Sequence, residues 1–375
     1  MKILLVITKA VVGGAQMSVL NLAREMKKRG HEVFVGFGEG DFLPAELDKE
    51  KIPFIRFDFL KRTHNPLNIF YFIWEIKKYV SEGHFEALHF NSSNSLPGAL
   101  GAKLANPRTR TIFTFRGMSM LDEHYEISPI LKFLYRFYFK FFLLFVNVPV
   151  FVSGENFDKF GRGQLTNKGR LIYNGLDPLK LIFVNDIEAR TWLSAKAKQD
   201  LSQKYLIGSI GRLDYAKNYE FLINVFPEVL RIRPDAVLLI MGEGNERTKY
   251  EALIKQKGLT DKIFLIGDIP NGGRYLKAFD LFVQTSRFEG LSIALIETLF
   301  AGLPILTSDV GGNKETVGAL ESEIYQLDDS KEFLSKFENL QDVDILKKAI
   351  ENNISQALKF NLVNTANGYE TAYKK

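Results

Sequence analysis

Short apolar runs alternate with segments of helical periodicity along the first half of the chain. The apolar runs resemble buried strands and lie at 3–7, 33–37, 87–90, 111–115 and 148–152. Between several of them, at 16–30, 66–82 and 127–145, apolar residues recur every three or four positions, which predicts helices. This alternation of strand and helix is typical of a parallel, doubly wound sheet.

The same rhythm restarts after position 200, which predicts a second domain. Strands are predicted at 205–210, 236–241, 262–266, 281–284 and 304–307, and helices at 218–231, 246–257, 291–301 and from 330 onward. A polar segment, 178–202, separates the two sets and ends in a predicted helix. We therefore predict an α/β protein of two Rossmann-like doubly wound domains, 1–190 and 200–359. They would face each other across a cleft that holds the ligand at the strand ends.

Composition and charge narrow the class of protein. The 375 residues are 46% hydrophobic and 25% charged, which fits a globular protein. The sequence has no cysteine, which excludes disulfides and thiolate metal sites and favours a reducing, cytoplasmic location. The net charge of +5 favours an anionic partner. Nucleic acid is not expected, because there is no zinc-finger spacing, no RNP-like aromatic run and no Arg-rich arm.

Two carboxylates frame the most informative segment, Glu289 and Glu297. We expect the residues between them to form the first two turns of a helix that Ser292 caps. Unpaired amides at that end can face an anionic or sugar ligand. At 1.5 Å per residue, Glu297 would lie roughly 12 Å further along, so a ligand that contacts both ends has the size of a nucleotide sugar.

Three glycine-containing turns follow predicted strands. Gly211 precedes Arg212 and Lys217, two cations suited to a diphosphate leaving group, although a Gly-Arg-Leu triplet alone is also typical of a solvated loop. Glu243 lies in a Gly-Glu-Gly turn that either lines a nucleobase pocket or is only a turn. The pair Gly13-Gly14 lets backbone amides approach a phosphate or an acceptor. It lacks the dinucleotide fingerprint, and no acid is suitably placed for the ribose of NAD, which argues against a nicotinamide enzyme.

Together these motifs, with Ala-Gly-Leu-Pro and Gly-Gly-x-x-Glu, resemble the retaining glycosyltransferases of the GT-B fold, glycosyltransferase family 4. The resemblance covers nearly the whole chain and is most specific over 205–315. It implies transfer of a sugar from a nucleoside-diphosphate sugar, held mainly by the C-terminal domain, to a saccharide or lipid-linked saccharide, held mainly by the N-terminal domain. Such reactions build cell-surface polysaccharides or glycolipids. The resemblance also implies that the last helix, 360–375, crosses back to the N-terminal domain.

The resemblance also implies roles for individual residues. Glu289 would contact the donor sugar and Glu297 the ribose, while Arg212 and Lys217 would clamp the diphosphate. The amides of Gly290, Leu291 and Ser292 would also contact the donor. Retention by front-face attack needs positioning and charge stabilisation, so neither a metal nor a cofactor is expected beyond the donor itself. The single Asp-x-Asp pattern, at 342–344, is typical of a solvated helix face.

One position departs from the family pattern. Many members have a histidine where this chain has Arg116. An arginine cannot act as a base near neutral pH, so we interpret Arg116 either as a substrate or phosphate contact or as part of a structural salt bridge. His89 closes a strand and is more typical of a hydrogen-bonded structural histidine than of an acceptor contact.

The segment 127–152 raises the question of a membrane. Lys132, Arg136 and Lys140 recur every four residues beside phenylalanines, which fits a helix lying on an anionic bilayer. An interior helix with one basic edge fits as well. The uncharged run is too short to span a bilayer.

Two other functions remain open on the same fold. One is a non-catalytic partner protein that binds a nucleotide sugar, but the complete set of two glutamates, Arg212 and Lys217 argues against it. The other is a nucleotide-sugar epimerase, which would be expected to carry further carboxylates and histidines in the cleft.

Overall fold

The computed structural model describes residues 1–63, 65–318 and 320–374, and the chain divides into two compact units. The first consists of residues 1–177 and 360–374, and the second of residues 178–359. Lys375, the last residue of the predicted crossover segment, lies outside the described residues. Each unit has a parallel sheet with helices, which confirms the predicted α/β class and the two Rossmann-like domains.

The strands of the described residues are short and belong to two sheets. They are β1 (Lys2–Lys9), β2 (Glu32–Glu39), β3 (Phe54–Arg56), β4 (Ala87–Phe90), β5 (Arg110–Phe115), β6 (Val148–Phe151) and β7 (Arg170–Leu171) in the first unit, and β8 (Tyr205–Ile210), β9 (Ala236–Met241), β10 (Ile263–Gly267), β11 (Leu281–Gln284), β12 (Ile305–Ser308) and β13 (Ile324–Tyr325) in the second.

Both sheets have the same order of strands. The first runs β3-β2-β1-β4-β5-β6-β7 and the second β10-β9-β8-β11-β12-β13, with every described pair parallel. In each sheet the order reverses beside the first strand, between β1 and β4 and between β8 and β11. Ligands of doubly wound sheets bind outside the carboxyl ends of the strands at such a switch point.

The helices connect successive strands or follow the last one. They are α1 (Gly14–Lys28), α2 (Phe42–Lys49), α3 (Pro66–Gly83), α4 (Gly98–Ala105), α5 (Pro129–Leu143), α6 (Gly154–Asn156), α7 (Asp186–Ala197), α8 (Tyr219–Ile232), α9 (Arg247–Gln256), α10 (Ile293–Ala301), α11 (Asn313–Thr316), α12 (Ser330–Asn339), α13 (Val343–Ala357) and α14 (Leu362–Lys374). None of them, over the residues described, has both the length and the apolar content that crossing a bilayer requires.

The first sheet is buried on both faces because its strands carry apolar residues on both sides. Leu4 and Val6 of β1 pack in one core with α3, α4 and α5. Ile3 and Leu5 point the other way, into a core that includes α1 and α14. This double burial produces the continuous apolar runs visible in the sequence.

Helix α14 completes the first unit from the far end of the chain. Tyr373 shares a hydrogen bond of 2.9 Å with Nδ1 of His89, and the other ring nitrogen is 2.7 Å from the hydroxyl of Thr114. His89 is fully buried, and this burial holds its pKa well below the ordinary value. Both ring nitrogens are therefore satisfied inside the core, as expected of a structural histidine.

The second unit begins earlier than the predicted boundary. Residues 178–190, which the sequence pattern assigned to the first domain, belong to the second unit. The reason is packing: the amide of Val184 donates to the carbonyl of Arg274 at 2.8 Å, and Nη2 of Arg190 donates to both carboxylate oxygens of Asp280 at 2.8 Å. Much of the predicted linker is thus the helix α7.

A buried acid, Glu323, ties β12 to α13. Its Oε1 accepts hydrogen bonds from the amide of Ile305 at 2.9 Å and from Asn353 at 2.6 Å. Burial raises the pKa of Glu323 to about 8, from an ordinary value of 4.5. Between pH 4.5 and about 8, Glu323 therefore keeps its proton in the native state, whereas the unfolded state releases it.

We expect the free energy of unfolding of the second unit to fall as pH rises from 5 to 8, because the unfolded state binds fewer protons there. Glu323→Gln should remove this part of the pH dependence. Urea unfolding followed by Trp192 fluorescence in a Trp74→Phe background reports on the second unit. The same pH dependence in both proteins would contradict the assignment.

Candidate active site

Four loops of the second unit meet at the carboxyl edge of its sheet. They span 211–218 after β8, 242–246 after β9, 285–292 after β11 and 309–312 after β12. Parallel strands deliver all of these loops to the same edge. The predicted donor motifs of the second unit, apart from Glu297, lie in three of them.

Glycines allow these loops to touch through their backbones. A Cβ on Gly242, whose φ is 148°, would lie 2.0 Å from the carbonyl oxygen of Gly211. A Cβ on Gly311, with φ 52°, would lie 2.1 Å from the carbonyl oxygen of Glu289. A side chain at either position would push the loops apart.

An ion pair between Lys217 and Glu289 joins the first loop to the third. The side chains are only 17% and 16% exposed. Ser286 donates a hydrogen bond of 2.9 Å to Oε1 of the same carboxylate, and Thr285 donates one of 2.9 Å to the carbonyl of Lys217. The partial burial weakens screening by water, so the contact fixes the two loops together.

Arg212 lies in the same loop as Lys217 but is much more open to solvent. Its side chain is 67% exposed and forms an ion pair of 3.0 Å with Asp214. The Asp214 side chain is much less exposed, at 19%. The loop therefore presents one fixed cation, Lys217, and one exposed cation, Arg212.

Helix α10 begins later than the sequence pattern predicted. It starts at Ile293, with Ser292 as the N-cap whose Oγ accepts from the amide of Leu295 at 3.4 Å. The predicted capping role of Ser292 is confirmed. Extending the helix over all the residues between Glu289 and Glu297 was wrong, because the carbonyl of Gly290 accepts from the amide of Gly312 at 2.8 Å and holds this part of the chain in a loop. The helical distance of 12 Å does not apply.

The residues after Glu289 are buried while two of their amides stay unpaired. Gly290, Leu291 and Ser292 are all buried. The backbone N–H groups of Gly290 and Ser292 meet no acceptor among the described residues. Unpaired amides beside a helix N-terminus suit an anionic or hydroxyl-rich ligand.

Glu297 projects from α10 toward the backbone of Gly273. A Cβ on Gly273 would lie 2.7 Å from the carboxylate, so only glycine leaves room for this approach. Burial raises the pKa of Glu297 to about 7. Glu297 is half-buried, and its carboxylate accepts no hydrogen bond from the described part of the chain. The structure gives it no contact with Glu289, Arg212 or Lys217.

Glu243 is half-exposed and paired with Arg247, a residue that the motif analysis missed. Arg247 donates to Oε1 of Glu243 at 2.6 Å and to the carbonyl of Leu265 at 3.1 Å. The spacing of four residues on the edge of a helix was the signal that could have revealed this pair.

Tyr215 and Arg287 were also missed, and they reinforce the junction of the first and third loops. The amide of Arg287 donates to Ala216 at 2.8 Å, and its guanidinium donates to the carbonyl of Tyr215 at 2.8 Å. The same guanidinium lies 4.3 Å from the centre of the Tyr215 ring. A pairing across 72 residues leaves no local pattern in a single sequence.

In the first unit, the predicted glycine pair lies where β1 meets α1. Gly13 is the N-cap residue of α1 and Gly14 is its first helical residue. The neighbouring Val11 and Val12 are exposed. This turn is at the carboxyl edge of the first sheet, beside its switch point.

Arg116 follows β5 at the same edge and holds two asparagines. It donates to Oδ1 of Asn174 at 2.5 Å and to Oδ1 of Asn91 at 2.7 Å. Burial lowers its pKa. No carboxylate of the described residues pairs with it, so the alternative of a structural salt bridge is not found.

Family models match both halves of the chain. Residues 12–179 match the model described as Glycosyltransferase Family 4. Residues 193–356 match the model described as Glycosyl transferases group 1. The two matches cover both units and every predicted site residue.

Relatives of known sequence support the same family. An uncharacterised glycosyltransferase of Methanocaldococcus jannaschii is 27% identical over 74% of this chain and 68% of its own length. A Campylobacter jejuni protein is 32% identical over 44% of this chain and 46% of its own length. Its name is N-acetylgalactosamine-N,N'-diacetylbacillosaminyl-diphospho-undecaprenol 4-alpha-N-acetylgalactosaminyltransferase. This match thus spans less than half of the Campylobacter protein.

A solved structure supports the fold. The Anabaena protein HepE, in complex with UDP-glucose, superposes with a TM-score of 0.81 at 18% identity, over 100% of both chains. The likeness concerns the arrangement of strands and helices that defines the GT-B fold.

The backbone contact at Gly242 yields a stability prediction. Gly242→Ala should destabilise the second unit by roughly 2–4 kcal/mol, since positive φ and a clash with Gly211 both oppose it. Gly258→Ala is the matched control, because Gly258 has φ 66° and no atom near its absent Cβ. In the control, the free energy of unfolding should fall by only about 1 kcal/mol. Urea unfolding measures both, and equal losses would contradict the loop contact.

Proposed function

Because the chain belongs to the glycosyltransferases of the GT-B fold, we propose that it transfers a sugar from a nucleoside-diphosphate sugar to a saccharide acceptor, with retention of anomeric configuration. The observation that carries this proposal is the contact of Lys217 with Glu289. It brings a cation suited to a departing phosphate together with a carboxylate suited to sugar hydroxyls.

The second unit would bind the donor. Lys217 and Arg212 would neutralise the diphosphate as negative charge develops on it. The side chain of Arg212 is 67% exposed, so a ligand could reach it beside its ion pair with Asp214. Glu289 would accept hydrogen bonds from the sugar, with the unpaired amides of Gly290 and Ser292 nearby. Leu291 would fix the backbone between them, since its side chain is buried.

Glu297 would bind the ribose. Its carboxylate accepts no hydrogen bond from the described residues, and two neighbouring ribose hydroxyls would supply donors. Glu243 would line the nucleobase end, held by Arg247. Gly273 leaves room for the carboxylate, since a Cβ at that position would lie 2.7 Å from it.

Transfer would require no covalent intermediate on the protein. In a front-face reaction the departing phosphate oxygen takes the proton of the acceptor hydroxyl while that hydroxyl attacks the sugar on the same face. The protein then contributes positioning and charge stabilisation. Because two cations would meet the diphosphate, we propose that transfer needs neither a metal nor a cofactor.

The first unit would bind the acceptor. Gly13 and Gly14 would offer backbone amides to a phosphate or to acceptor hydroxyls. Arg116 would provide a cation whose charge no described carboxylate balances. The Campylobacter relative is named for an acceptor linked to diphospho-undecaprenol, which supports a lipid-linked saccharide and a role in polysaccharide or glycolipid synthesis.

The direct test is transfer from a panel of UDP-, GDP- and ADP-sugars in the presence of EDTA. Arg212→Ala, Lys217→Ala and Glu289→Ala should each lower kcat/KM by roughly a hundredfold to a thousandfold, because each removes charge or hydrogen bonding at the transition state. Exposed residues of the same types give matched controls: Arg231→Ala, Lys347→Ala and Glu351→Ala.

The controls should keep full activity, and the anomeric coupling in the proton NMR spectrum of the product should match that of the donor. Undiminished transfer in all three site variants would refute the assigned roles. An inverted product would refute retention, and loss of activity with EDTA would refute metal independence.

Donor affinity should depend on the ionisation of Glu297. Ribose hydroxyls donate to the carboxylate form, so binding should strengthen as pH rises through about 7. Between pH 8 and pH 6 the ionised fraction falls about tenfold, and Kd should rise by a similar factor. Calorimetry with a nucleotide sugar measures this. Glu297→Gln should bind with no such step, and an unchanged step in that variant would contradict the role.

A further inference from the structure

Exposed apolar side chains are concentrated on one face of the first unit. Of the 22 large hydrophobic residues that are exposed in the described part of the chain, 11 lie on α3, α4 and α5, and Leu144 directly follows α5. These three helices cover one side of the first sheet and share its core. Their solvent side, here called the outer helix face, carries most of the exposed aromatic rings. Scattered apolar residues are normal on a surface, but a continuous patch marks an interaction site.

Helix α3 contributes an aromatic stripe to this face. Leu67, Phe70, Tyr71 and Trp74 are all exposed, and their spacing of three or four residues places them along one side of the helix. Lys78 continues the same line one turn later and is exposed. Lys77 lies 4.2 Å from the Trp74 ring. The inward side of the same helix packs Phe72 and Ile76 in the core.

Helix α5 contributes a second stripe. Ile130, Phe133, Phe137 and Leu144 are between 64% and 74% exposed and follow one side of the helix. The helix carries three cations, at positions 132, 136 and 140, and no acid. Arg136 is exposed and lies on the flank of the stripe. The helix therefore combines an outward apolar ridge with a one-sided positive charge.

We propose that the outer helix face binds an anionic phospholipid bilayer, with α3 and α5 lying in the plane of the headgroups. Trp and Tyr favour this interfacial depth because they combine an apolar ring with a polar group. Lysine and arginine stems extend from the apolar layer to the phosphates. A second helix makes this face broader than the single basic helix expected from the sequence.

The positive charge of α5 favours binding to an anionic lipid surface rather than to a second copy of the chain. A symmetric dimer through this face would bring the cations of two α5 helices together, with no acid on either helix to balance them. An anionic bilayer instead supplies a dense layer of phosphates, and each basic residue near it contributes to binding. The net charge of +5 acts in the same direction.

The proposal is independent of the donor site, which lies in the second unit. Vesicle binding can be measured with no substrate and no transfer. A protein that binds vesicles but transfers no sugar would refute only the proposed function, and the reverse result would refute only the bilayer proposal.

The two tryptophans of the chain allow a position-specific test. Trp192→Phe leaves Trp74 as the only reporter, on the outer helix face. Trp74→Phe leaves Trp192, which stacks on Tyr275 in the second unit at 4.1 Å. Each full-length protein is titrated with vesicles of phosphatidylcholine alone and with vesicles containing phosphatidylglycerol, at low and high salt.

We expect Trp74 emission to shift to shorter wavelength with phosphatidylglycerol vesicles at low salt, and to be quenched by brominated lipid. Trp192 emission should not change. High salt should weaken binding, because it screens the phosphates. Absence of binding to these vesicles, or binding that leaves Trp74 emission unchanged, would overturn the proposal.

Charge and apolar contacts can be separated with variants. Arg136→Gln with Lys140→Gln should weaken binding roughly thirtyfold, at about one kcal/mol for each basic residue. Phe133→Ser with Phe137→Ser should abolish the emission shift. Val343→Ser with Leu358→Ser is the matched control, since both residues are exposed in the second unit, and it should bind as the parent does.

Circular dichroism checks that each variant is folded, and sedimentation velocity checks the state of association. If the parent protein forms a dimer that Phe133→Ser with Phe137→Ser dissociates, and does not bind vesicles, the face is a contact between copies and the bilayer proposal is wrong. Equal vesicle binding by all variants would also overturn it.

Discussion

The ion pair between Lys217 and Glu289 is the contact on which the candidate site depends. It joins loops that follow two neighbouring strands, β8 and β11, at the edge where a doubly wound sheet binds ligands. Glycines at 242 and 311 let adjoining loops approach through their backbones. The parallel sheet thus brings the loops of the site to one edge, and specific side chains then join them.

The charged residues of the site differ in their electrostatic environments. Lys217 is held by its partner, whereas Arg212 reaches into solvent beside Asp214. Glu297 is desolvated, so its pKa lies near neutrality. Under the proposed function, the pair of cations would meet a diphosphate, the paired acid a sugar and the desolvated acid a ribose. A chain that only needed stability would gain little from a desolvated carboxylate without a donor.

Much of the fold could be predicted because buried parallel strands read as apolar runs; β8 and β9 match their predicted ranges. The short strands β3, β7 and β13, of two or three residues, leave too little pattern. In the site, motif spacing identified Lys217 and Glu289 as candidates. It could not reveal that Arg287 binds Tyr215, since that contact depends on the folded loops. It also began α10 too early, because the backbone pairing of Gly290 is not local.

Hydrogen–deuterium exchange with and without a nucleotide sugar shows whether the donor binds at the Lys217–Glu289 junction. We expect binding to slow exchange in the loops around 211–218 and 286–292 and in the first turn of α10, because the ligand would pair their amides and hold the Lys217–Glu289 junction closed to solvent. Protection confined to the first unit, with these loops exchanging as in the free protein, would contradict it.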